Sequence, residues 1–159
     1  MDDRKRAAQD VFASLRYSSD SFPKAYPDIS WSLTRPEADS NMAPVFLAHA
    51  KLYAFAEQRI VPRLKMLALH KIHTLLGAHT PNGGNLLAVL DLTTFAFDKD
   101  NTPEEVEGIR EPLRHMVVLY VVKEIDVIGH SGLFTDYLEG GGPFVKLFWS
   151  TLQKALLTR

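Results

Sequence analysis

A chain of 159 residues with 46% hydrophobic side chains is long enough to bury one core and short enough that one domain is the default. Its 18 basic and 19 acidic residues leave a formal charge of -1, without the broad basic field that draws nucleic acid or an anionic membrane. There is no cysteine, which removes disulfides, thiolate metal sites and Cys nucleophiles together, and no apolar run approaches the roughly 20 residues of a membrane span or the core of a signal peptide. The expectation is a soluble intracellular protein of cytoplasm or nucleus.

In chain order, residues 3–17 read as a short amphipathic helix with Ala8, Val11, Phe12 and Leu15 at helical intervals, and Arg4-Lys5-Arg6 as its solvated face. From 18 to 41 the pattern breaks at Pro23, Pro27 and Pro36, which reads as a linker pinned at Tyr26 and Trp31. Regular structure resumes at Ala43-Pro44, proline being suited to a first helical turn. Val45, Ala48, Leu52 and Phe55 then form the stripe expected to face the core, as far as Gln58. A second helix opens at Val61-Pro62 and carries Leu64, Leu67, Ala68, Ile72 and Leu75 to about Gly77. Small Ala48, Ala50, Ala54 and Ala56 allow the two helices of this hairpin to approach closely.

Pro81-Asn82-Gly83-Gly84 closes the hairpin, and the segment from Leu86 to Phe97, apolar nearly all round, reads as a buried helix. Thr102-Pro103-Glu104-Glu105 has the pattern of a helix start, with Thr as N-cap and Pro in the first turn. It predicts one long helix through Ile109, Leu113, Met116, Val117, Tyr120, Val121 and Ile125 to Gly129, kinked or split at Pro112. A short helix over Gly132 to Leu138, a break at Gly140-Gly141-Gly142 and a last helix from Pro143 with Phe144, Leu147, Phe148, Thr151, Leu152 and Leu156 on one side complete the chain. The fold class expected is all-α, a single bundle of about six or seven helices built from antiparallel hairpins.

Chemistry finds few footholds. His70 and His73 stand i, i+3 on one predicted helix, close enough to share a metal, but no third ligand accompanies them locally, and His49, His79, His115 and His130 lie on other elements. The acids Asp98, Asp100, Glu104, Glu105 and Glu107 occupy a loop and a supposed helix start, where capping explains them; Glu124 and Asp126 are better placed for burial but lack a nucleophile partner. Ser131 lacks the Gly-x-Ser-x-Gly elbow, and the glycine runs lack the Lys-Ser/Thr of a phosphate loop. Phe144 and Phe148 share a core face, whereas Trp149 projects to one side and is the better interface candidate of the three. No catalytic, cofactor-binding or metal site follows, and no partner-binding residue is assigned.

Ala48-His49-Ala50-Lys51-Leu52-Tyr53-Ala54-Phe55-Ala56-Glu57, followed by Ile60 and Pro62-x-Leu64-Lys65-x-Leu67-Ala68-Leu69-x-Lys71, resembles the helical segment that follows the BTB core in the fungal group of BTB/POZ proteins. Asn101-Thr102-Pro103 and Leu138-Glu139-Gly140-Gly141 look like later turns of that family, and Phe12-x-x-Leu15-x-Tyr17 with Asp20 and Phe22 faintly resembles the end of its BTB core. The α/β part of that core has no counterpart here. The resemblance divides the chain into 1–41, an N-terminal helix and proline-containing linker, and 42–159, a BACK-like helical domain. It implies a non-enzymatic adaptor or scaffold, of the ubiquitin-ligase or transcription-related kind, whose partners are proteins, a second copy included, rather than nucleic acid or membrane, with no cofactor. Its motif residues His49, Tyr53, Glu57, Leu64 and Ala68 are expected to serve packing. The rival reading is a small metal-dependent or hydrolytic enzyme using His70 and His73 with acids from another helix.

Overall fold

The computed structural model describes residues 3–17, 41–82, 85–106 and 108–157; the expected linker with Tyr26 and Trp31, together with Asp20 and Phe22, lies outside them. The described residues form an all-α bundle: α1 (Asp3–Ser14), α2 (Ala43–Gln58), α3 (Pro62–Ala78), α4 (Leu86–Phe97), α5 (Pro112–Lys123), α6 (Ile125–Ile128), α7 (Gly132–Glu139) and α8 (Pro143–Leu157). That is one or two helices more than the sequence predicts, because the long helix expected from Thr102 is absent and its range holds two shorter ones.

The start of α5 is where local signals mislead. Thr102 caps nothing; its hydroxyl donates to the Ala96 carbonyl at 2.6 Å, tying the loop back onto the end of α4. Val106 and Ile109, both exposed, close a tight turn by the Ile109 N–H to Val106 carbonyl bond, with Gly108 at φ 82. Proline at 112 has no N–H to give and disfavours helix in the residue before it, so Pro112 begins α5 rather than kinking it. Glu111 is the N-cap, its carboxylate accepting from the Arg114 N–H at 2.8 Å.

α5 is the axis of the molecule. Leu113, Met116, Val117, Val118, Leu119, Tyr120, Val121 and Val122 are all buried, so its β-branched run is covered on every side, by α1, α3, α4 and α8. The hairpin of α2 and α3 forms as expected, with α4 laid against α2. In α4, Thr93 and Thr94 fold their hydroxyls onto the Val89 and Leu90 carbonyls of the same helix, at 2.7 and 2.9 Å, which lets threonine sit in an apolar helix without an orphaned donor. Against the expected burial, Leu87 is exposed and Phe95 and Phe97 are only partly buried. Ala8 and Phe12 of α1 join the common core, while Val11 is exposed. Gly141 and Gly142 turn the chain into α8 at φ 65 and 90, a region that side chains with a Cβ enter at a cost.

The face of α2 is the largest correction. The stripe expected inside, Val45, Ala48, Leu52 and Phe55, points outward, and Phe46, Ala50 and Tyr53 are buried instead. At 100° per residue the two stripes lie roughly 140° apart on the helix. Each is apolar and helically spaced, and tertiary partners decide between them. The Phe46 ring meets His79 edge-on at 5.4 Å, Ala50 and Ala54 are buried without bulk, and Tyr53 finds a polar partner described next.

Candidate functional site

Two features of α2 bear on function: what anchors its inner face and what its outer face presents. Inside, the Tyr53 hydroxyl donates to one oxygen of Glu111, 58 residues away in sequence. The other oxygen takes the Arg114 N–H. The Arg114 guanidinium runs the opposite way: Nε donates to the Thr102 hydroxyl at 2.8 Å and the Ala96 carbonyl at 3.0 Å, and Nη2 donates to the Thr102 carbonyl at 3.1 Å. It lies 5.2 Å over the Phe97 ring. Glu111, Arg114 and Thr102 are buried, so one connected set of bonds joins α2, the end of α4, the loop after it and the start of α5.

Burial pushes the Glu111 carboxyl above the usual carboxylate range, opposed by the Tyr53 hydroxyl, the Arg114 N–H and the charges of Arg114 and Lys65. Burial also pushes the Tyr53 hydroxyl up, as does the charge of Glu111. Tyr17, half-buried with its ring edge-on to His73 at 5.8 Å, is pushed up to about 12 by burial and then by Glu111. A carboxyl of raised pKa beside a phenol is a pairing that acid–base sites use. Here Tyr53 is fully buried and Glu111 is 4% exposed, an arrangement that ties helices together.

Outside, Val45, Leu52 and Phe55 are 38%, 36% and 49% exposed, and the stripe runs on to Ile60 and Val61 at 84% and 39%. Ile60, at the hairpin turn, has φ 55, a left-handed conformation that costs a β-branched residue about 1–2 kcal/mol. The rim is basic. Lys51, Arg59 and Arg63 are exposed, and the Arg59 guanidinium lies 5.7 Å over the Phe55 ring. Glu57, on the Tyr53 side of the helix, is paired with Lys65.

The residues singled out from sequence scatter. His70 is exposed; His73 turns its Nε2 to the Phe12 carbonyl at 2.9 Å and its ring against Phe12. His49 is half-buried, His130 exposed and His79 buried; His79 Nε2 has no hydrogen-bond partner among the described residues, and desolvation holds its pKa down. Among the described residues no group of three or more His, Asp or Glu side chains stands where a metal ion could be held. Glu124 pairs with its neighbour Lys123 at 2.9 Å and Asp126 with Lys5 at 3.5 Å. Asp98, Asp100, Glu104 and Glu105 are exposed, and Ser131 precedes α7 without a side-chain cap bond. Trp149 is exposed, with Phe144 and Phe148 buried behind it. Sequence reading missed Glu111 and Arg114. The signal was present: an acid directly before a proline, followed by an apolar helix, is an N-cap pattern.

The fold and this geometry define a helical bundle with one internal polar clamp and one outward apolar helix face. No protein-family model matches the chain, and no curated protein or solved structure matches it. Among the described residues no helix is long and apolar enough to cross a membrane.

Proposed function

We propose that this chain is a non-enzymatic protein-interaction module, of the kind the resemblance to the post-BTB helical region implies, and that it docks a helix of another protein on the outer face of α2. The observation that carries the reading is the stripe Val45, Ala48, Leu52, Phe55. Its spacing of three, four and three residues is the a/d repeat of a helix that packs a second helix into its grooves, and it faces solvent. The motif residues of the resemblance support it from behind: Tyr53 and Ala68 are buried and Glu57 is paired, so they hold the hairpin and leave the outer stripe to a partner.

Charge selects the kind of partner. Lys51 flanks the stripe and Arg59 continues it past the end of the helix, over the Phe55 ring, so a second copy docked through the same face would set like charges against each other, whereas an acidic amphipathic helix would find them complementary. A synthetic peptide of about three heptads, Leu at a and d and Glu at e and g, is the direct probe. Fluorescence anisotropy is expected to show binding on the order of 10 µM, lost in Leu52→Asp and absent for a peptide with Lys at e and g. Equal binding of both peptides, or of the acidic peptide to wild type and variant, would overturn the reading.

A further inference from the structure

A hollow lies between α1, α5 and α8, with a volume of about 420 Å³. That falls within the range of small-ligand sites, which are mostly apolar with a few placed polar groups. Its floor is apolar and belongs to the core: Leu119 is 6% and Val122 4% exposed. Val11 of α1 forms one wall, half exposed although its helix repeat would bury it, and Leu147 of α8 forms the other.

The polar groups that line it are Glu105, Arg110, His115, Thr151 and Lys154; α1 contributes only Ala7, Ala8 and Val11. Arg110 donates from Nη1 to His115 Nε2 at 3.3 Å and takes part in none of the ion pairs among the described residues. Burial first, then the Arg110 charge, and more weakly that of Lys154, hold the His115 pKa down against the opposing pull of Glu105. The described lining thus sets the Arg110 guanidinium and the Lys154 ammonium beside the Glu105 carboxylate, over an apolar floor.

We propose that this hollow binds a single-chain aliphatic carboxylate, its head on the Arg110 guanidinium and its tail along Leu119 and Val122. A guanidinium fork matches a carboxylate in plane and spacing. From His115 to Val122 the floor runs seven residues of helix, about 10 Å, the length of an extended chain of roughly eight to ten carbons. The site is separate from the outer face of α2 and does not depend on it.

The test is titration calorimetry with decanoate, with acetate and decyltrimethylammonium as the probes that lack tail or negative head. Decanoate is expected to bind with a dissociation constant on the order of 100 µM, and the other two at least about tenfold more weakly. Arg110→Gln is expected to weaken decanoate about tenfold. Ala7→Phe, at an exposed position on the rim, is expected to block the hollow and abolish binding, with the helical circular dichroism of both variants unchanged. Leu52→Asp is expected to bind decanoate like the wild type, which separates this site from the docking face. The proposal is overturned if decanoate and decyltrimethylammonium bind alike, if either lining variant binds decanoate undiminished, or if no heat of binding is seen at about 1 mM.

Discussion

Replacing Tyr53 with Phe removes one hydroxyl from the interior and leaves the ring in place. Tyr53 is fully buried and its hydroxyl donates to Glu111, so the variant leaves a buried carboxyl oxygen without its donor, a loss of about 2 kcal/mol when the carboxyl is ionised and about 1 kcal/mol when it is neutral. Linkage gives the same sign. Burial holds the Glu111 pKa up and the Tyr53 hydroxyl is the largest influence pulling it down, so in the variant it rises further. A carboxyl whose folded value exceeds its unfolded one contributes stability that is full below the unfolded value and is lost as pH rises through the folded value. The variant therefore loses more than the wild type between acid and mildly alkaline solution. Urea denaturation at about pH 4 and about pH 8 measures this. With a slope of about 2 kcal/mol per molar, the midpoint is expected to fall by about 0.5 M at the lower pH and about 1 M at the higher. Equal losses at the two pH values, a larger loss in acid, or less than about 0.5 kcal/mol at both would refute the reasoning.

Two further substitutions probe the same architecture. Arg114→Met leaves the Thr102 and Ala96 carbonyls without the guanidinium that serves them and is expected to lower stability by about 2–4 kcal/mol in chemical denaturation. Arg114→Lys is expected to recover little of it, since one ammonium does not reproduce the Nε and Nη2 fork. Ala50→Leu, on the buried face of α2, is expected to cost about 1–3 kcal/mol through overpacking, whereas Ala48→Leu, two residues earlier on the outer face, is expected to stay within about 0.5 kcal/mol; the opposite order in thermal melts would mean that α2 is turned the other way.

The legible parts of this molecule were those with local causes. Proline in a first helical turn marks the starts of α2 and α3, and Pro143 does the same for α8. The apolar run of 86–97 is long enough to be a helix whatever surrounds it. Thr102-Pro103-Glu104-Glu105 has the same local credentials and is not a helix, because Thr102 gives its hydroxyl to Ala96 and receives Arg114; a capping pattern competes with tertiary bonds that no window of sequence contains. The candidate site was less legible. Glu111 reads as one acid among several until Tyr53 is brought to it, and Arg114 as a surface cation until Thr102 closes over it.

Periodicity and composition alone determined that the chain makes helices, that the second and third form a hairpin, and that most of the fourth is buried, because those follow from spacing and from the amount of apolar surface each segment must hide. Which way α2 turns was left to the tertiary structure. Its two apolar stripes are of similar character, so hydrophobic burial scarcely separates them, and Phe46 against His79 and Tyr53 against Glu111 draw one face inward. The other is left facing solvent because the partners that settle the choice lie on distant parts of the chain.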